Sequence, residues 1–183
     1  MNRLFLIVSI LLTFAQAAND TQELTDQLWV GMKFFPTMVG GDMRLNEKLG
    51  QDGKLLLLVV YHNNVTLAET VVNRLSRVAD RIGEYPVRFE ATNTLDFIEW
   101  QSIPIAGIFL AESPSTLQRR QIIQFGITRH LVTFSSFSDD VQNGILTGIH
   151  VSSKIRPALN LKTLKSSGIP YNDLIVEIAK TYD

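Results

Sequence analysis

The 183-residue chain contains no cysteine. That excludes disulfide staples, thiol nucleophiles and zinc-thiolate sites together, and leaves packing to hold the fold. An excess of either charge is also missing: 17 Lys and Arg stand against 18 Asp and Glu, a formal net charge of -1. With no basic or acidic block, neither nucleic acid nor an anionic membrane surface is favoured as a partner. There is no Gly-x-Ser-x-Gly elbow, phosphate-binding glycine loop or dinucleotide fingerprint, so no cofactor or catalytic residue is assigned. No internal repeat or low-complexity segment is present.

A hydrophobic run with targeting character occurs once, at the start. Arg3 gives a positive leader, Leu4 to Leu12 an apolar stretch, and Ala15-Gln16-Ala17 a small-x-small cleavage pattern. The run is shorter than the roughly 20 residues that cross a bilayer. Residues 1–17 therefore read as a signal peptide. Residues 18–183 then form one exported α/β domain.

What the chain has in quantity is buried-strand sequence. Lys54 to Tyr61 is a short unbroken apolar run ending at the polar His62-Asn63-Asn64, the mark of a strand covered on both faces. Before it, Leu24, Leu28, Met32 and Phe35 recur at helical spacing from Asp20 to Phe35, with Pro36 and then Gly40-Gly41 expected to end the helix. Between Thr37 and Asp52 the pattern is weak, either a short helix or an ordered loop. After the strand, Thr66 to Glu69 fits a capping box for a helix whose apolar stripe runs from Leu67 to Ile82. Pro86 to Ala91 is a second strand, and Thr94 to Trp100 a turn or short helix. Pro104 to Ala111 is a third strand, followed by Ser113 as N-cap and Pro114 as first residue of a helix to about Phe125. His130 to Phe134 is a fourth strand, leading into a polar turn from Ser135 to Asp140.

The end of the chain changes pattern. Gly144 to Val151 and Lys154 to Leu159, separated by Ser152-Ser153, predict an antiparallel hairpin. Asn160 caps a short helix closed by Gly168, and a last helix carries Leu174, Ile175 and Ile178. The expected fold is a mainly parallel sheet with helices on both faces, three-layer α/β/α, with a C-terminal antiparallel β-hairpin.

In such sheets ligands bind beyond the carboxyl ends of the strands. The residues expected there are His62, Asn63, Asn64, Glu112, Ser113, Ser135 and Ser136, against the plainer reading of caps and turns. Trp29, Phe34, Phe35 and Trp100 are candidates for a partner surface, although an aromatic stripe at helical spacing more often belongs to a core. Ser135, Ser136, Asp139, Asp140 and His130 supply triad residue types, and His62, His130 and His150 could converge on a metal. Neither grouping has motif spacing, and no metal site is assigned.

The segments Gly144 to Val151, Lys154 to Leu161, Lys165 to Gly168 and Leu174 to Ala179 resemble the ending of the YfiR-like family of periplasmic proteins. Lys33-Phe34-Phe35-Pro36 and the step from Ile108-Phe109-Leu110 to Ser113 are similar to earlier features of that family. The resemblance implies a non-enzymatic regulatory or binding domain, of a kind that in characterised relatives restrains a membrane-bound diguanylate cyclase. The implied partner is an inner-membrane signalling protein, with a small-molecule solute-binding role and, less favoured, a hydrolase as alternatives. A homodimer through edge strands is compatible with the residues. Two departures stand out: the cysteines of some relatives are absent, so redox control does not carry over, and the usual Trp-Pro after the first helix is Phe35-Pro36 here.

Overall fold

The computed structural model describes residues 26–93 and 99–183. Residues 1–17, expected as a signal peptide, and most of the Thr94 to Trp100 segment lie outside them. Among the described residues no helix is long and apolar enough to cross a membrane.

Helix α1 covers residues 26–39. A 3-10 turn, Leu45–Lys48, leads to strand β1, Leu55–Val60, then to α2, Val65–Val78. Strands β2, Arg81–Ile82, β3, Tyr85–Thr92, and β4, Gly107–Leu110, follow. Next come α3, Thr116–Thr128, β5, Val132–Ser135, and the short α4, Ser138–Gln142. The chain closes with β6, Thr147–Val151, β7, Ile155–Asn160, α5, Leu161–Ser167, α6, Asp173–Ile178, and β8, Lys180–Tyr182.

These strands make one eight-stranded sheet in the order β2-β3-β1-β4-β5-β6-β7-β8. The central block from β3 to β6 is parallel, and β6–β7 is the expected antiparallel hairpin. From β1 the chain crosses to β3 on one side, then returns past β1 to β4 on the other. The strand order therefore reverses between β1 and β4, the switch point of a doubly wound sheet.

All six β1 residues are buried, and they divide the core in two. Leu55, Leu57 and Val59 pack with Leu28, Met32 and Phe35 of α1 and Ala68, Val71 and Leu75 of α2. Leu56, Leu58 and Val60 pack with Ile108 and Leu110 of β4 and Ile122 of α3 on the opposite face. Side chains of successive strand residues point to opposite faces, which is why an unbroken apolar run signals two covering layers.

Several local expectations are corrected. Of the two expected stops, Gly40-Gly41 and not Pro36 ends α1: the helix continues to residue 39, with the Gly40 N–H reaching the Pro36 carbonyl at 2.9 Å. Met38 and Val39, both fully buried, offset the cost of the proline. Helix α2 is capped by Asn64, whose Oδ1 accepts from the Leu67 N–H at 2.9 Å, not by a box at Thr66. It stops at Val78, because Ala79 turns extended and Ile82 pairs with Tyr85 across a tight turn at Gly83. The N-cap of α3 is Ser115, reciprocated by Gln118, in place of Ser113. The stretch from Ser135 to Asp140, expected as a polar turn, enters the short helix α4 and has Ser135, Ser136 and Asp140 buried. The C-terminal reading holds, since Asn160 caps α5 and Gly168 ends it at a φ of 63°, where a side chain would be strained.

Candidate functional site at the carboxyl edge of the sheet

The parallel register sets the site. Val60 lies opposite Leu110 and Leu110 opposite Ser135, so the residues just past each strand emerge side by side. His62, Asn63 and Asn64 thereby meet Glu112 at the switch point. One oxygen of Glu112, Oε2, accepts from the backbone N–H groups of His62 at 2.8 Å, Asn63 at 3.0 Å and Asn64 at 3.4 Å. The His62 ring nitrogen Nδ1 is 3.4 Å from the same oxygen. Consecutive amides leading into a helix form a pocket for negative charge, and here the chain's own carboxylate occupies it. Partial burial pushes the Glu112 carboxyl upward, but the Asn63, His62 and Asn64 donors and the His62 ring outweigh it. The carboxyl is held below its ordinary value. No intramolecular partner reaches Oε1 among the described residues.

A second carboxylate lies deeper. Asp140, on α4, is fully buried and accepts from Arg119 Nη2 at 2.8 Å and Nε at 3.1 Å. Ser135 Oγ donates to it at 2.7 Å and Ser113 Oγ at 3.2 Å. This network ties the ends of β4 and β5 to the first turn of α3. With its lone pairs filled, Asp140 reads as structure. Arg119 was not among the expected site residues, and Asp140 was weighed only as a triad residue type; the sequence shows an acid following the buried end of β5, without any indication that α4 would fold it inward.

Ser136 is separate again. Its Oγ is buried without a hydrogen-bond partner and packs against Gly31, where an added Cβ would come within 1.9 Å of it. Of the seven expected ligand residues, the structure thus brings His62, Asn63, Asn64 and Glu112 into one cluster. Ser113 and Ser135 join the Asp140 network, and Ser136 faces α1.

The aromatic residues do not form one surface. Phe35 is fully buried, with ring centroids 5.3 Å from Phe109 and 5.5 Å from Phe134, so it is a core residue and cannot meet a partner. Trp29 and Phe34 are half-buried on the α1 side of the sheet, with the Arg74 guanidinium 3.7 Å over the Trp29 ring. Trp100 packs on the opposite face.

The histidines also lie apart. His62 sits at the carboxyl edge, the His130 ring donates to the Ser167 carbonyl at the other end of β5, and His150 contacts the Tyr182 hydroxyl. Ser135 and His130 are consequently at opposite ends of one strand, and no group of metal-ligating residues forms among the described residues.

No family model matches the chain, and no curated protein matches it. Among solved structures, the crystal structure of an ABC domain in complex with L-Trp from Streptococcus pneumonia is similar, with a TM-score of 0.51 and 12% identity. The likeness covers 80% of this chain and 62% of that one, so the chain spans about three fifths of that neighbour. At this identity the likeness concerns the α/β fold alone.

Proposed function

We propose that the protein is a non-catalytic binding domain that acts as a periplasmic regulator. A small polar solute is held at the carboxyl edge, where it donates to the free Oε1 of Glu112 and meets His62, Asn63 and Asn64. Its occupancy is passed to a membrane-bound signalling partner such as a diguanylate cyclase or a sensor kinase. The observation that carries this reading is the Glu112 clamp, a charged and incompletely satisfied group at the switch point between β1 and β4. The YfiR-like resemblance supports the regulatory role and the compartment, and Trp29 with Phe34 is the partner surface it favours. The neighbour's complex with L-Trp makes amino acids the first probes to try.

The test has two arms. In thermal melts, one member of an amino-acid panel should raise the Tm of the wild type and not of Glu112→Gln. In pull-downs from a membrane extract, the wild type should retrieve a signalling protein that Trp29→Ala with Phe34→Ala does not. A solute shift with no membrane partner would move the protein to the alternative class of solute-binding proteins, and failure of both arms would overturn the proposal.

A further inference from the structure

At the opposite, amino edge of the sheet three connections meet: the 3-10 segment after α1, the segment leading into β4, and the turn from α3 to β5. Between them lies an open cleft of about 310 Å³, lined by Arg44, Lys48, Arg129 and His130, with Pro104 and Ile105 as its apolar wall. Glu47 is the one carboxylate on the lining, and it is exposed.

The cations are fixed by bonds that use part of their capacity. Arg129 donates to the carbonyls of Trp100 at 3.1 Å, Ile103 at 3.0 Å, and Gln101, which rigidifies the far wall. Arg44 donates through Nη2 alone, to the Gly168 carbonyl at 2.9 Å. Lys48 is spent on the buried Asp42 and on the His130 carbonyl. Burial pushes the Lys48 ammonium below its ordinary value even with Asp42 beside it. The His130 ring donates from Nδ1 to the Ser167 carbonyl, so in the neutral ring Nε2 is an acceptor, and it has no partner among the described residues. Among the described residues, Nε and Nη1 of Arg44 and Nε of Arg129 have none either.

Capping carbonyl groups requires no open volume and no unused guanidinium edge. His130 holds a φ of 54° as the left-handed residue that closes α3, with the Leu131 N–H bonded to the Gly126 carbonyl at 2.8 Å, which fixes where its ring stands. A guanidinium edge matches the spacing of two oxygens on a phosphate or carboxylate. The volume is near the lower limit of roughly 300 Å³ for small-molecule pockets, too small for a nucleotide and larger than a bare ion requires.

We propose that this cleft is a second binding site, for a small organic oxyanion whose phosphate or carboxylate head meets Arg44 and Arg129 beside His130 and whose carbon body rests on Pro104 and Ile105. It stands independently of the carboxyl-edge reading. The test is calorimetric titration of the purified protein in low salt with glycerol 3-phosphate, succinate, inorganic phosphate and uncharged glycerol. At least one organic anion should bind with salt-sensitive affinity and glycerol should not; which one binds fixes the head as phosphate or carboxylate. Arg44→Gln should weaken binding tenfold or more while its unliganded Tm stays near that of the wild type, and Glu112→Gln should bind as the wild type does. Absence of binding by both organic anions, equal binding by Arg44→Gln, or binding of inorganic phosphate as tight as glycerol 3-phosphate would overturn the proposal.

Discussion

At the carboxyl edge of the sheet, where α2 and α3 begin, the sheltered charges are acids, Glu112 and Asp140. At the amino edge, where α1 and α3 end, the cations Arg44, Lys48 and Arg129 are set against carbonyl groups, and the buried acid there, Asp42, is paired with Lys48. Glu112 takes up the backbone amides that lead into α2, and Lys48 the His130 carbonyl just past α3, so each of these helix ends has its unpaired groups offset by an opposite charge. The edges differ in how completely this is done. Asp140 has four donors and no exposure, whereas Arg44 makes one bond through its guanidinium. The interior of the carboxyl edge is therefore sealed, its Glu112 rim is half-satisfied, and the amino edge keeps open capacity.

The largest effect that would test this contrast is Arg119→Ala. Removing the cation leaves Asp140 buried with only serine donors, and the loss expected in urea denaturation is about 3–5 kcal/mol. A loss no greater than that of a surface arginine would mean that the carboxyl edge is not sealed by this pair.

A smaller effect is expected where α1 closes over that edge. Gly31→Ala forces a Cβ against Ser136 and should cost about 1–3 kcal/mol. Ser136→Ala removes a buried hydroxyl that has no partner; it should raise the Tm slightly and recover part of the Gly31→Ala loss when the two are combined.

The rim is read by pH. In the folded protein Glu112 is held below the ordinary Glu value near 4.5, so the folded state binds fewer protons than the unfolded chain in the interval between the two values. Its contribution is fully present above pH 4.5 and is lost as pH falls through the lower folded value. Glu112→Gln should accordingly be less stable than the wild type at neutral pH, with the gap narrowing in melts below that point. A gap unchanged with pH would show that the clamp does not depend on charge. The smallest effect belongs to the other edge, where Arg44→Ala should change stability by no more than about 0.5 kcal/mol.

Much of this architecture was legible because its signals are local. Leu55 to Val60 announced a strand covered on both faces, Ser152-Ser153 a hairpin, and Asn160 with Gly168 the limits of α5. The edges were less legible because they depend on residues distant in sequence. The carboxyl ends of the strands pointed to His62, Asn63, Asn64 and Glu112, but only the β1–β4 register makes Glu112 a clamp. Asp140 and Arg119 are 21 positions apart, and no periodicity relates them. Strands β2 and β8 are too short to carry an alternation of their own and exist through pairing with β3 and β7. Phe35 was placed correctly on a helix, yet its burial follows from contacts with Phe109 and Phe134 in two later strands.

The central claim is that the Glu112 rim is a solute site, and it is tested most directly by amide NMR of the protein titrated with the amino-acid panel. The expected result is a saturable shift of the His62, Asn63 and Asn64 amides with one panel member, with Arg129 and His130 unmoved and the response lost in Glu112→Gln. Amides of residues 62–64 that stay fixed throughout the panel, or that move equally in Glu112→Gln, would contradict it.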